Sequence, residues 1–326
     1  MTDFSSSSQR KGSIVFWAAI AALFAALAGG YLFFLREPEL PPPPPAGPDA
    51  GRAVEAPADA AAPKVQDLQV TEVSGTVEIR SGKGTYTPAQ PGAVLKADDS
   101  LRTLGDGRAR LVSEQSFDVQ VEPGTELEVQ ELTEQLSRVQ LGLGMVVAKV
   151  DGKHGKHGKR LEVSARGSDA VAASTDGTFA VSSNGTGTVA VGARAGEVEL
   201  KSAGKAVLLR SGQQSVAMPG MAPTDPTAIP TSLFLKVDWP AAREINKRQV
   251  TVTGKTEPGA VVLLAGQPAK VEKDGRFKAT VMLREGKNAL SAESLDVGGH
   301  RTKEIRDLAV DTTAPDTNIP TKDLWK

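Results

Sequence analysis

The sequence predicts an all-β protein carried on a single N-terminal transmembrane helix, with a disordered proline-rich linker between the helix and two β domains. Three observations lead there. From Leu68 onward, short runs alternate apolar and polar residues with period 2, the mark of strands buried on one face. A helical period is convincing only in residues 13–35. Between these regions nine prolines fall from Pro38 to Pro63, and proline both fixes φ and removes the amide donor that helix and sheet require.

Composition narrows the function classes. The chain has 326 residues, and about 260 remain beyond the N-terminal segments, enough for two ordinary domains. With 38 basic and 39 acidic residues the formal net charge is −1, so no global field draws in nucleic acid. There is no cysteine, which excludes disulfides, thiolate metal sites and a cysteine nucleophile.

Residues 1–12 read as a short cytoplasmic tail. Residues 13–35, "SIVFWAAIAALFAALAGGYLFFL", carry no charge, and at about 1.5 Å per residue they span the roughly 30 Å core of a bilayer. Trp17 and Tyr31 sit toward the two ends, where amphipathic rings partition, and Arg10 and Lys11 precede the span. The positive-inside rule then places the N-terminus in the cytoplasm and the rest in the periplasm of a bacterial inner membrane. Ala26-Leu27-Ala28 offers a signal-peptidase site as the alternative; the apolar run continues past Ala28, which favours an uncleaved anchor. Residues 36–66 form the linker, stiffest at Pro41–Pro45, and in polyproline II at roughly 3.1 Å per residue it holds the domains off the membrane.

Residues 67–217 make the first β domain. "VSGTVEI" places Val73, Gly75, Val77 and Ile79 on one face, "SFDVQV" aligns Phe117, Val119 and Val121, and "VQLGLGMVV" aligns Val139, Leu141, Leu143, Met145 and Val147. "RLEVSA", "TFAVSS", "TVAVGA", "EVEL" and "KAVLL" repeat the pattern. "GTELEVQELTEQLSRVQL" reads as strand, turn, strand, because Thr125 to Val129 alternates. The succession "VTEVSGTVEIR", "PGAVLKADDSLRTLGDGRARLV", "GMVVAKV", "TDGTFAV" and "GTVAVGARAGEVELKSAGKAVLLRSGQQ" resembles the FecR domain, from about Val70 to Gln214. That resemblance implies the extracytoplasmic part of an envelope signalling protein.

Residues 218–231, "MPGMAPTDPTAI" and its flank, read as a second linker. Residues 232–315 then show a strand every eight to twelve positions, with Pro258-Gly259, Asp274-Gly275 and Gly298-Gly299 as turns. "TGKTEPGAVV", "KDGRFKATVML", "EGKNAL" and "DTTAP" resemble a bacterial Ig-like domain, which implies a seven-strand sandwich. Residues 316–326 are a C-terminal tail.

The densest cluster of functional residue types is "DGKHGKHGKR" at 151–160. Lying between "GMVVAKV" and "RLEVSA", it reads as a hairpin tip. His154 and His157 have H-x-x-H spacing, but zinc sites use three or four ligands, and Lys153, Lys156, Lys159 and Arg160 would repel a dication. Gly152 and Gly158 do not fit phosphate-loop spacing. The reading that survives is a cationic tip, solvated or touching an anionic surface through Lys153, His154, Lys156, His157, Lys159 and Arg160.

No catalytic, cofactor or metal residues emerge. Asp98-Asp99 reads as turn capping, and Trp239 as core or edge packing. The expectation is a non-enzymatic, membrane-anchored periplasmic binding or scaffold protein, with an envelope protein or polysaccharide as partner and no nucleic acid. The alternatives are a sensor subunit acting through a partner regulator and, less favoured, an envelope polysaccharide-active enzyme. Direct sigma-factor binding is not expected, since twelve cytoplasmic residues cannot build a helical bundle.

Overall fold

The computed structural model describes residues 67–113, 117–133, 135–152 and 160–313. The anchor, the proline-rich linker, residues 153–159 and the C-terminal tail lie outside the described residues. Among the described residues every regular element is a β-strand, and no helix is long and apolar enough to cross a membrane.

The first β unit contains β1 (Leu68–Ser74), β2 (Val77–Arg80), β3 (Thr87–Pro88), β4 (Val94–Leu95), β5 (Ser100–Thr103), β6 (Arg108–Ser113), β7 (Phe117–Val121) and β8 (Glu126–Leu132). It continues with β9 (Leu136–Val150), β10 (Arg160–Ala165), β11 (Val171–Ser174), β12 (Gly177–Ser183), β13 (Val189–Ser202), β14 (Lys205–Arg210), β15 (Gln213–Ala217) and β16 (Thr227–Ala228). These pair into two facing sheets. One, called here the front sheet, runs β4-β1-β6-β7-β9-β12-β13-β15-β16; the back sheet runs β3-β2-β5-β8-β9-β10-β11-β13-β14. The long strands β9 and β13 belong to both. Each bends out of one sheet into the other, and one core that includes Leu111, Leu141, Leu161, Phe179 and Leu200 fills the space between.

The bend in β9 revises the single face expected for "VQLGLGMVV". Val139 and Leu141 point into the core, but after Gly142-Leu143-Gly144 the phase slips, and Val146, Ala148 and Val150 take over. Gly144 adopts φ +95°, and a Cβ there would meet Thr125 Oγ1 at 2.4 Å. Because strand side chains have period 2, a one-residue irregularity moves every later side chain to the other face. Met145 and Val147 therefore look outward.

"VSGTVEI" is likewise two elements rather than one. Gly75, at φ +65°, turns the chain from β1 in the front sheet to β2 in the back sheet. A side chain at Gly75 would also collide with the Asp106 carbonyl, 2.1 Å from the Cβ position. "TVAVGA" and "EVEL" run in the opposite sense: they are one strand, β13, bent at Gly196.

A third correction concerns residues 151–160. β10 pairs with β9 in parallel, Arg160 opposite Leu136 and Ala165 opposite Leu141. The chain between Val150 and Arg160 is thus a crossover that returns to the start of β9, and the expected hairpin tip is not formed by these strands. Ten residues reach at most about 36 Å, less than a straight strand of β9's length would need, so the bend at Gly144 also makes the return possible.

Residues 218–231 are strapped to the first unit. β16 pairs with β15, Ile229 donates its N–H to the Gly212 carbonyl, and the Thr224 hydroxyl accepts from the Val216 N–H.

The second β unit comprises β17 (Leu235–Asp238), β18 (Glu244–Ile245), β19 (Gln249–Thr256), β20 (Val261–Leu264), β21 (Gln267–Ala269), β22 (Arg276–Met282), β23 (Gly286–Leu295) and β24 (Arg301–Val310). A three-stranded sheet, β17-β19-β22, faces a five-stranded one, β18-β24-β23-β20-β21. Eight strands form where seven are expected, the short β18 and β21 included. Their shared core includes Val252, Val262, Leu264, Phe277 and Ala292. Pro258-Gly259, Asp274-Gly275 and Gly298-Gly299 are turns, as read from the sequence.

Candidate binding groove beside the junction of the two units

The outward face of the front sheet is divided in two. Over the middle of β9, β12, β13 and β15 its side chains are mostly small or apolar, Met145, Val147, Ala180, Ala190, Gly192 and Val216 among them. Over β1, β6 and β7 they are Glu72, Arg108, Arg110, Asp118, Gln120 and Glu122. The second unit covers the apolar half. Val261, Leu295 and Val297 close a small third core with Met145, Ala180 and Ala190, all less than a tenth exposed.

Close approach of backbones shapes this junction. A Cβ at Gly192 would lie 2.8 Å from Val297 Cγ2, and one at Gly105 would lie 1.8 Å from the Gly266 carbonyl oxygen. Polar groups pair across it. The buried Ser182 hydroxyl donates to the Gly259 carbonyl at 2.5 Å, Asn184 Nδ2 to the Val271 carbonyl at 2.6 Å and Arg194 Nε to the Val297 carbonyl at 2.9 Å. Burial holds the Arg194 guanidinium below its ordinary value, with Glu122 and Asp296 pulling the other way. Burial also pushes the nearby Glu257 carboxyl up, and Asp296 adds to it.

Expected period-2 alternation misses this contact. Its one sequence trace is β20: "VVLL" is buried at all four positions, because Val261 and Leu263 face the first unit while Val262 and Leu264 face their own core. A short continuous apolar run signals a strand covered on both faces.

The charged half stays open. It forms a groove of about 810 Å³ lined by Glu72, Arg108, Arg110, Asp118, Gln120, Lys149 and Thr178, among others. Arg110 forks onto both oxygens of Asp118, Nε to Oδ1 at 3.0 Å and Nη2 to Oδ2 at 2.6 Å, and reaches Glu72 at 2.8 Å. Asp118 and then Glu72 hold the Arg110 guanidinium above its ordinary value, so it is a fixed cation. Glu122, side chain 6 % exposed, ties groove to junction: it accepts from Arg108, Gln120 and, from the second unit, Arg301. Hydrogen-bond donors and acceptors therefore converge on one polar trough of the first unit, and Arg301 of the second unit braces it through Glu122.

The residues singled out from sequence divide as follows. Lys153, His154, Lys156, His157 and Lys159 lie outside the described residues. Arg160 is a strand residue on the outer face of the back sheet, far from a free tip cation: Nε pairs with Glu162 and an Nη with Glu199, both at 3.0 Å. It belongs to a charge ladder Glu131–Arg138–Glu162–Arg160–Glu199. Asp99 caps a turn, accepting from the Lys96 and Gly82 amides. Trp239 packs on the second core and donates Nε1–H to Glu304 at 3.0 Å. Thr103 is buried, and its hydroxyl donates to the Glu122 carbonyl at 2.6 Å while accepting from the Thr125 amide at 2.9 Å. Among the described residues there is no cluster of three or more metal-ligating side chains.

Comparison with known proteins adds one family. Residues 234–312 match the family model described as glucodextranase, domain B. The match coincides with the second unit and leaves the first outside it. None of the curated proteins matches the chain. Two crystal structures of a protein from Parabacteroides distasonis ATCC 8503, provisionally assigned as an anti-sigma factor, align at 18% and 17% identity. Each alignment covers 39% of this chain and 57% of that one, with a TM-score of 0.32, so the chain spans little more than half of that protein's length. A polysaccharide lyase aligns at 11% identity over 74% of this chain and 40% of its own, with a TM-score of 0.19. At these scores the alignments establish no common fold.

Proposed function

We propose that this chain is a membrane-anchored, extracytoplasmic binding and scaffold protein, in which a FecR-like unit, with an Ig-like unit docked beside it, presents a groove to a glycan of the cell envelope. The observation that carries this reading is the open polar trough of the front sheet, whose arginines, carboxylates and amide are already oriented by one another and by Glu122, which Arg301 of the second unit holds. Preorganised donors and acceptors on rigid strands suit a hydroxyl-rich ligand, since little side-chain entropy remains to be lost on binding. The match of the second unit to a domain of a glucodextranase supports the choice of a glycan over a protein partner. The uncharged run at 13–35 and the proline-rich stretch after it support outward display.

The full-length chain in neutral detergent should co-sediment with cross-linked dextran, and the double variant Arg110→Ala/Lys149→Ala should be released. Equal retention of both, or of neither, would remove the groove from the account. In cells, protease added after outer-membrane permeabilisation should cut the β units; complete protection would overturn the orientation.

A further inference from the structure

The exposed face of the three-stranded sheet in the second unit carries a row of like charges. Lys236 on β17 stands opposite Lys255 on β19, and Lys255 stands opposite Arg276 on β22. In the adjacent row Lys278 stands opposite Thr253, with Asp238 beyond it. All four cations are exposed. Arg276 pairs with Asp274 at 2.7 Å, whereas among the described residues no ion pair engages Lys236, Lys255 or Lys278. Like charges directly across strands destabilise a sheet. The protein as a whole has no cationic excess, its net charge being −1. The row is a local segregation of charge that folding stability does not require.

We infer that this face binds an anionic polysaccharide, a polymer bearing carboxylates or phosphates along its sugar chain. Three features fit that occupant. The cations repeat at the strand spacing of about 4.8 Å, which is comparable to the length of one sugar residue, so a chain laid across the strands can meet successive cations. Thr251 and Thr280 face each other on the same surface, hydroxyl to hydroxyl at 3.1 Å, and Thr253 lies between Asp238 and Lys278, giving hydroxyls for sugar contacts beside the charges. An anionic bilayer fits less well: no aromatic or aliphatic side chain lies amid the cations, and the exposed Phe234 and Met282 are at opposite ends of the sheet. The surface is separate from the groove of the front sheet. That the polymer belongs to the envelope rests on the orientation proposed above; that it is anionic does not.

The test uses the full-length chain in neutral detergent with three probes: polygalacturonate, dextran of similar size, and phosphatidylglycerol vesicles. Wild-type protein should bind polygalacturonate at low salt and progressively less as salt screens the contact. Lys236→Gln/Lys255→Gln/Lys278→Gln should lose at least tenfold in affinity for it while unfolding at the same or a higher temperature, because repulsion is relieved and no buried group is touched. Groove variant Arg110→Ala/Lys149→Ala should bind polygalacturonate like wild type, so that failure of the groove and failure of this face are read separately. Unchanged affinity in the triple variant would overturn the inference. So would loss of binding only on changing Lys153, Lys156 and Lys159 to glutamine, or binding to vesicles without binding to polygalacturonate.

Discussion

Gly192 and Val297 meet so closely that a Cβ on the glycine would lie 2.8 Å from the valine's Cγ2. One is on β13 of the first unit and the other in the turn after β23 in the second, and their contact is part of what joins two separate cores. Replacing Gly192 with leucine should force the units apart. The expected results are faster proteolysis within 218–231, a lower unfolding temperature and the appearance of two transitions in calorimetry. A single transition at the wild-type temperature would show that the junction bears no part of the stability.

Gly144 sets the phase of β9. Gly144→Ala should cost about 1–3 kcal/mol for the left-handed backbone alone, and more for the clash with Thr125. Urea denaturation measures it, and a change below about 0.5 kcal/mol, the scale of an ordinary surface substitution, would mean that the bend is not needed.

Thr103→Val keeps the shape of a buried side chain and removes its hydroxyl. The Glu122 carbonyl loses its donor, and the Thr125 amide loses its acceptor. At about 1–3 kcal/mol for a buried group left unsatisfied, the variant should show a clear fall in denaturation midpoint. Thr103→Ser should recover much of it.

Glu162 tests the charge ladder through pH. Burial favours its neutral form, but hydrogen bonds from Arg138 and Arg160 outweigh burial and hold its carboxyl below the ordinary value. A carboxylate with a depressed folded value binds fewer protons folded than unfolded. Its stabilisation is therefore complete above the ordinary glutamate value of about 4.3 and fades as pH falls through the lower folded value. Glu162→Gln should be less stable than wild type at pH 7, with the gap closing toward pH 3. A gap that widens in acid would reverse the assignment.

Much of the architecture was legible from local pattern. Phe117, Val119 and Val121 alternate in sequence and are buried in the core, and Asp274-Gly275 turns where its composition says it should. What failed was inference across the glycines. "VSGTVEI" and "VQLGLGMVV" look uniform because alternation counts residues and is blind to φ, so the turn at Gly75 and the phase slip at Gly144 leave no mark on it. Arg160 was legible as a cation but not as the partner of Glu199, which lies 39 positions away and reaches it across sheet pairings that no local pattern encodes.

The sequence by itself determined the class: hydrophobic periodicity and turn composition are local quantities, and they made the described part of the chain all-β. Tertiary structure decided which side of each strand is core and which is junction. It also decided which charges are spent on one another, as at Arg110 and Asp118, and which have no ion pair among the described residues, as at Lys236 and Lys255. The reason is that cross-strand register and the docking of one sheet on another are set by contacts between residues tens to more than a hundred positions apart.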